Sequence, residues 1–224
     1  MFKTASPKSD EARARILGAA VELFRTQGFE ATTMREIAAE AGVATGAAYY
    51  YFASKDGIVL AFYEQSQRDM EPLLEEALAG TKNLRQRLQA LLQAKLRYFE
   101  PNRGLLGTLA SHIDPEHPLS PFSSATREIR ERDVVFFERA LTGSRTRVSE
   151  DLDQYLPRLL WMYQMGVILF WIYDRSAGQE RTQALVDKSL ALIVGLIKVA
   201  GFPLMRPLRR MVVDLAGTVM ETRR

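Results

Sequence analysis

Residues 32–52 read TTMREIAAEAGVATGAAYYYF. Two short helical runs flank a tight turn in this stretch. Thr33, Met34, Arg35 and Glu36 form a capping box. The threonine oxygen accepts from the backbone N–H three residues on, and the glutamate reaches back to the threonine's own N–H. A helix is therefore predicted over 34–41. Gly42 permits the positive φ that a sharp turn needs. A second helix is predicted over 45–52, with Ile37, Ala38 and Val43 packing the two together. Two short helices so joined make a helix-turn-helix, whose second helix offers its N-terminal residues to the major groove.

Upstream, a helix is predicted over 10–27, capped by Ser9 or Asp10. Ile16, Ala20, Leu23 and Phe24 line one face. Gly28 follows the last turn, where a left-handed cap is expected. Downstream, Ser54 caps a helix that begins at Lys55. Longer helices are then predicted over 55–79, 84–100, 103–112, 122–142, 150–174 and 179–200, with an amphipathic segment over 204–220. Apolar residues recur at helical spacing almost throughout, and few segments alternate as strands do. The prolines mark breaks or first turns, and 114–121 is the longest predicted loop. The fold class that follows is all-α, with a small N-terminal three-helix domain at 1–57 and a larger helical domain at 58–224.

The 224 residues carry a net charge of +3 and no cysteine. The missing cysteines exclude a disulfide framework, a thiol nucleophile and cysteine-ligated zinc or iron–sulfur chemistry. His112 and His117 are the two histidines, too few for a His-rich metal site, and no metal or cofactor is expected. The opening MFKTASPKSDEARARI lacks an apolar signal core, so a cytoplasmic protein is expected. Leu159 to Ile172 reads LLWMYQMGVILFWI, too short to span a bilayer and best read as a helix buried on several sides. In residues 1–57 seven basic side chains face seven acidic ones, so charge alone does not nominate this region for nucleic acid. The stretch 3–15 is either a basic arm that touches phosphate or a loose terminus, and the latter is expected.

Three runs carry a family resemblance: A-x-x-L-F-x-x-x-G-F at 20–29, T-T-M-R-E-I-A-x-x-A-G-V at 32–43, and Y-x-Y-F-x-S-K-D at 49–56. Together they closely resemble the DNA-binding module of TetR/AcrR-type transcriptional regulators, over about residues 12–60. The resemblance implies a dimeric, ligand-responsive repressor on a palindromic double-stranded operator, released by a small-molecule effector. It implies DNA contacts from Thr33, Arg35, Gly46, Tyr49, Tyr50 and Lys55, the last gripping a phosphate. Thr45, Ala47 and Ala48 depart from the family pattern, in which a cation, a threonine and a larger apolar residue are frequent. With Ala44 and Thr45 at its start, the second helix favours methyl and hydroxyl contacts over Arg–guanine forks.

For the larger domain the resemblance implies an effector site and a dimer bundle built by the last two long helices. Trp161, Gln164, Met165, Ile168 and Ile172 form one stripe for that interface, joined by Val186, Ile193 and Ile197. Phe99, Phe136, Phe137, Trp161 and Tyr163 are candidate pocket residues, though each reads more readily as plain core. His112, Asp114, Glu116 and His117 crowd into six residues but match no standard metal spacing. The basic amphipathic tail over 204–220 is read as docking on the domain rather than on a membrane. An enzyme is not expected, because no catalytic constellation stands in the chain. The alternative is a helical adaptor or structural bundle that has lost DNA binding.

Overall fold

A computed structural model describes residues 7–220. Lys3 of the N-terminal arm, and Arg223 and Arg224 of the tail, lie outside the described residues. Within them the chain is all-helical: α1 Pro7–Thr26, α2 Met34–Glu40, α3 Thr45–Tyr51, α4 Lys55–Ala79, α5 Leu84–Phe99, α6 Arg103–Leu109, α7 Arg127–Thr142, α8 Glu150–Asp153, α9 Leu156–Tyr173, α10 Glu180–Ala200 and α11 Arg206–Met220. Short 3-10 turns precede α6, α10 and α11. No strand occurs among the described residues.

Contacts divide the chain into two compact units. One holds residues up to Asp69 with Pro101–Arg130, and the other Met70–Glu100 with Glu131 onward. The compact N-terminal unit is thus larger than residues 1–57, since it takes in the start of α4, α6 and the loop that follows α6. The first division falls within a turn of Pro72, whose ring removes one helical hydrogen bond from α4.

In the first unit α1 packs on α2 and α2 on α3. Ile16, Ala20, Phe24, Ile37, Ala38, Ala48 and Phe52 are all buried. The rings of Phe24 and Phe29 meet edge to face at 5.1 Å. Between α1 and α2 the chain reverses through Gly28, at φ +90°, a left-handed conformation that glycine adopts without a Cβ clash. Buried Thr32 fastens this loop by donating its hydroxyl to the Gly28 carbonyl at 2.7 Å. The Arg25 Nε donates to buried Asn102 at 2.9 Å, tying α1 to the residue that opens α6.

Three predicted helices are shorter than their apolar spacing suggests, among them the one over 103–112, which ends at Leu109. The helix expected over 122–142 begins at Arg127. Before it, the hydroxyls of Ser123 and Thr126 donate to the carbonyls of Pro118 and Ser120 at 3.1 and 2.7 Å. Arg130 donates to the Pro121 carbonyl at 2.7 Å. The Ser123 hydroxyl also accepts from the Thr126 N–H at 3.3 Å, a donor that a helix begun at 122 would have used. The helix expected over 150–174 is broken into α8 and α9, with Pro157 in the first turn of α9. Proline has no N–H for the preceding turn and is tolerated only at such a start.

The second unit is built around Leu74, Leu88, Leu91, Phe137, Leu160, Val167 and Leu190, with further apolar residues packed against them. Arg87 is buried here and serves four carbonyls: Ala140 from Nε at 3.0 Å, Leu78 and Thr81 from Nη1 at 2.6 and 2.8 Å, and Arg139 from Nη2 at 2.9 Å. One guanidinium therefore satisfies the open carbonyl ends of both α4 and α7. A Cβ at Gly143 would collide with it, which explains glycine just past α7.

Candidate nucleic-acid interface

The α2–turn–α3 unit has the predicted caps. The Thr33 hydroxyl accepts from the Glu36 N–H at 3.3 Å, and the Glu36 carboxylate accepts from the Thr33 N–H at 2.7 Å and from its hydroxyl at 2.8 Å. Those bonds hold the Glu36 carboxyl below its ordinary pKa. Gly42 takes φ +65°, and the Val43 N–H returns to the Ala38 carbonyl at 2.9 Å, which closes the turn. The N-cap of α3 is Ala44, which has no side-chain acceptor. The first N–H groups of α3 are therefore left without a side-chain cap.

Helix α3 is anchored by one face and open on the other. Ala48 is fully buried, and Phe52 is buried with the Arg13 guanidinium 4.9 Å from its ring centre. A methyl side chain at 48 lets the backbone of α3 approach its neighbours, a physical reason for the departure from a larger residue. Ala44, Thr45, Gly46, Tyr49 and Tyr50 are exposed. Thr45 with Tyr49 and Gly46 with Tyr50 are pairs at i, i+4, so they form two adjoining outward stripes. Tyr51 is half-buried, with its ring 5.2 Å from that of Tyr50. On α2, Arg35 is exposed and has no ion pair among the described residues.

Lys55 has another task in this structure. Its ammonium donates to the carbonyls of Phe29 at 2.6 Å and Glu30 at 3.2 Å, and lies 4.6 Å from the centre of the Phe29 ring. It ties the start of α4 to the α1–α2 loop and keeps one N–H for a further acceptor. In the arm, Arg13 and Arg15 sit on α1 rather than in a loose terminus.

In the loop after α6 the rings of His112 and His117 lie 4.1 Å apart. His117 Nδ1 accepts from the Leu119 N–H at 3.2 Å, and Asp114 accepts from the Glu116 N–H at 3.0 Å. These groups serve the loop's own backbone. Among the described residues no three His, Asp or Glu side chains converge as metal ligands.

In the second unit half of the expected dimer residues turn inward. Trp161, Gln164, Val186 and Ile197 are buried within the chain, and Met165, Ile168, Ile172 and Ile193 are half-buried. The faces that reach solvent are Met162, Leu169, Phe170 and Tyr173 on α9, and Leu192, Leu196 and Val199 on α10. Both helices have two apolar faces, and spacing cannot tell which one the chain's own core takes. The expected pocket residues Phe136, Phe137 and Trp161 are in the core, with Phe99 and Tyr163 packed against it. Tyr163 shares a 2.7 Å hydrogen bond with Ser189. None of the five lines the cleft bounded by the α4–α5 loop and α10, or the one bounded by α5, Trp171 and α10.

A buried polar cluster went unread in the sequence. The Lys95 ammonium pairs with Asp133, whose other oxygen accepts from Gln164 at 2.8 Å. All three are buried. Desolvation pulls the Lys95 pKa down, and Asp133 partly opposes it. A signal was present: Lys95 falls four residues after Leu91 and seven after Leu88, on a face otherwise apolar.

Comparisons with known proteins place this geometry. Residues 16–62 match the model for bacterial regulatory proteins of the tetR family, and residues 87–217 match a tetracyclin repressor-like C-terminal domain. The transcriptional repressor KstR2 of Mycobacterium tuberculosis is 32% identical over 82% of this chain and 91% of its own. The transcriptional activator FasR of Mycolicibacterium smegmatis is 36% identical, over 41% of this chain and 42% of its own length. Two further curated regulators are matched over only 38% and 28% of their lengths. The fatty acid degradation regulator FadR of Bacillus halodurans superposes with a TM-score of 0.63 at 17% identity, covering 86% of this chain and 97% of that one. At that identity the likeness shows the fold alone.

Proposed function

Because the chain belongs to the TetR family of bacterial regulatory proteins, we propose that it is a ligand-responsive transcriptional repressor that binds a palindromic operator as a homodimer in the cytoplasm. The observation that carries this reading is the outward face of α3. Its polar and aromatic side chains stand in solvent while Ala48 and Phe52 hold the helix from behind. Tyr49 and Tyr50 bring flat rings and hydroxyls to thymine methyls and phosphate oxygens. Thr45 brings a hydroxyl and Gly46 a close backbone. Arg35 has its guanidinium free for a phosphate or a base edge. Lys55 uses its remaining donor on the backbone while it holds the loop behind α2. Thr33 has both its N–H and its hydroxyl committed to Glu36, so it meets a phosphate only where that carboxylate gives way.

A single module of this kind buries too little DNA for specificity, so two half-sites require two copies. The solvent-facing apolar stripes of α9 and α10 supply the surface between copies. Effector release requires that a small molecule bind one spacing of the two modules more tightly than the other. The repressor reading follows KstR2, matched over 91% of its length, rather than the activator FasR, matched over 42%. Among the described residues no helix is long and apolar enough to cross a membrane.

The test is a gel shift at 150 mM salt with DNA from the gene's own upstream region. Wild-type protein is expected to give a discrete complex. The R35A/Y49A variant is expected to bind at least about 30-fold more weakly, since two lost contacts are worth about 1–3 kcal/mol each. Lys55 is left alone because its replacement would also loosen the α1–α2 loop. In a companion experiment, L192E/L196E is expected to sediment as a monomer with unchanged helicity. Equal binding by R35A/Y49A sinks the site assignment, and a wild-type protein that ignores all operator DNA favours an adaptor.

A further inference from the structure

The second unit carries a cleft of about 1160 Å³ between the α4–α5 loop, the α7–α8 loop and the end of α10. Its lining is strongly one-signed. Lys82, Arg85, Arg145, Arg147 and Lys198 border it, and no carboxylate does among the described residues. Arg85 leans on Asp187 at 3.8 Å, while the other four have no ion pair among the described residues. Like charges so gathered repel one another unless an anion joins them. The first backbone N–H groups of α5, a helix of 16 residues, belong to the lining residues Leu84 and Arg85 and add that helix's positive end.

The walls are set before any ligand arrives. The Arg145 N–H donates to the Lys82 carbonyl at 3.0 Å, joining the two loops across the cleft. Buried Arg87 holds the Thr81 carbonyl from behind while it ends α7. The floor is apolar, with Leu84 and Val194, and the Phe202 ring stands open beside it. The lining side of α10, with Ala191, Gly195 and Lys198, is a different stripe from Leu192, Leu196 and Val199, which serve the proposed dimer.

We propose that this cleft binds a small organic polyphosphate. Lys82, Arg145, Arg147 and Lys198 take the phosphate oxygens, and Phe202 with the apolar floor takes a ring or other apolar group. Several clustered cations select a multiply charged head, because each phosphate oxygen set needs its own donors. The exposed ring and floor select an organic molecule over a bare ion. The volume leaves room for a ligand of nucleotide size. The assignment is independent of operator binding, and it stands or falls by titration of the protein without DNA.

Isothermal titration of the full chain with magnesium-free ATP, inorganic tripolyphosphate and adenosine tests it. ATP is expected to bind once per chain, tripolyphosphate at least threefold more weakly, and adenosine not at all. Raising salt from 50 to 300 mM should weaken both anions. K82E/R147E should lose at least tenfold in ATP affinity with an unchanged melting curve, since both side chains are exposed and unpaired. Should charge reversal disturb the fold, K82A/R147A decides by the same loss. Absence of ATP binding at millimolar concentration, or equal binding by the variants, overturns the proposal. So does displacement of ATP by a duplex of unrelated sequence, which would make the cleft a DNA-backbone surface.

Discussion

On α3, Tyr50 and Tyr49 stand 82% and 53% exposed, whereas in the second unit Lys95, Asp133 and Gln164 are 2%, 5% and 1% exposed. The two regions depart from ordinary burial in opposite directions. Rings left in water have their partner outside the chain, and the fold behind them is complete without them. Charges taken into the core must find their partners inside, and Lys95 and Asp133 supply one another, with the Gln164 amide donating to Asp133. The cluster is no gain over a well-packed apolar core, yet it is costly to break. The first region is therefore open to change without loss of fold, and the second is not.

Asp133→Ala presses hardest on that contrast. It leaves Lys95 buried without a counter-charge and is expected to cost about 3–5 kcal/mol, read from the urea midpoint. A loss under about 1 kcal/mol would mean that the ammonium finds water, and the contrast would fail. The paired K95M/D133L change should recover most of the loss. Ala48→Leu comes next. It overfills the back of α3 and is expected to cost about 1–3 kcal/mol, with operator binding falling as the helix is displaced.

Asp174 sharpens the point about buried charge. Its carboxylate accepts from the N–H and hydroxyl of Ser176 at 2.9 and 2.7 Å and of Thr182 at 2.9 and 2.7 Å. Those donors hold its pKa well below the ordinary 3.8. A depressed folded-state pKa gives stability that is full above about pH 4 and lost as pH falls toward the folded value. Asp174→Asn should flatten that acid limb in melting curves taken between pH 5 and 2, and an unchanged slope would count against it. The smallest stability effect belongs to Tyr50→Ala, within about 0.5 kcal/mol of wild type. A larger drop in the melting midpoint would show that the ring supports the fold after all.

Much of this arrangement was legible in the chain. The capping box at Thr33 and the turn at Gly42 follow from local rules that need no partner. Helix α4 runs over 55–79 as predicted. Misreadings arose where local signals were silent or divided. The hydroxyls of Ser123 and Thr126 compete with a helix that apolar spacing alone extends. The family resemblance gives Lys55 to a phosphate, and only the folded loop brings the Phe29 and Glu30 carbonyls to it as well.

The sequence by itself determined that the chain is all-helical, that it carries a helix-turn-helix, and which family it resembles. Those properties live in spacing, caps and short motifs, where the interacting groups lie within a few residues of one another. Tertiary structure alone decided which apolar face of α9 and of α10 is core, because a helix with two such faces has the same periodicity whichever is covered. It also decided that Lys95 meets Asp133, that one arginine closes two helices, and that four unpaired cations from three segments share a cleft. Each joins residues tens of positions apart, and such distances become contacts only when the chain has folded.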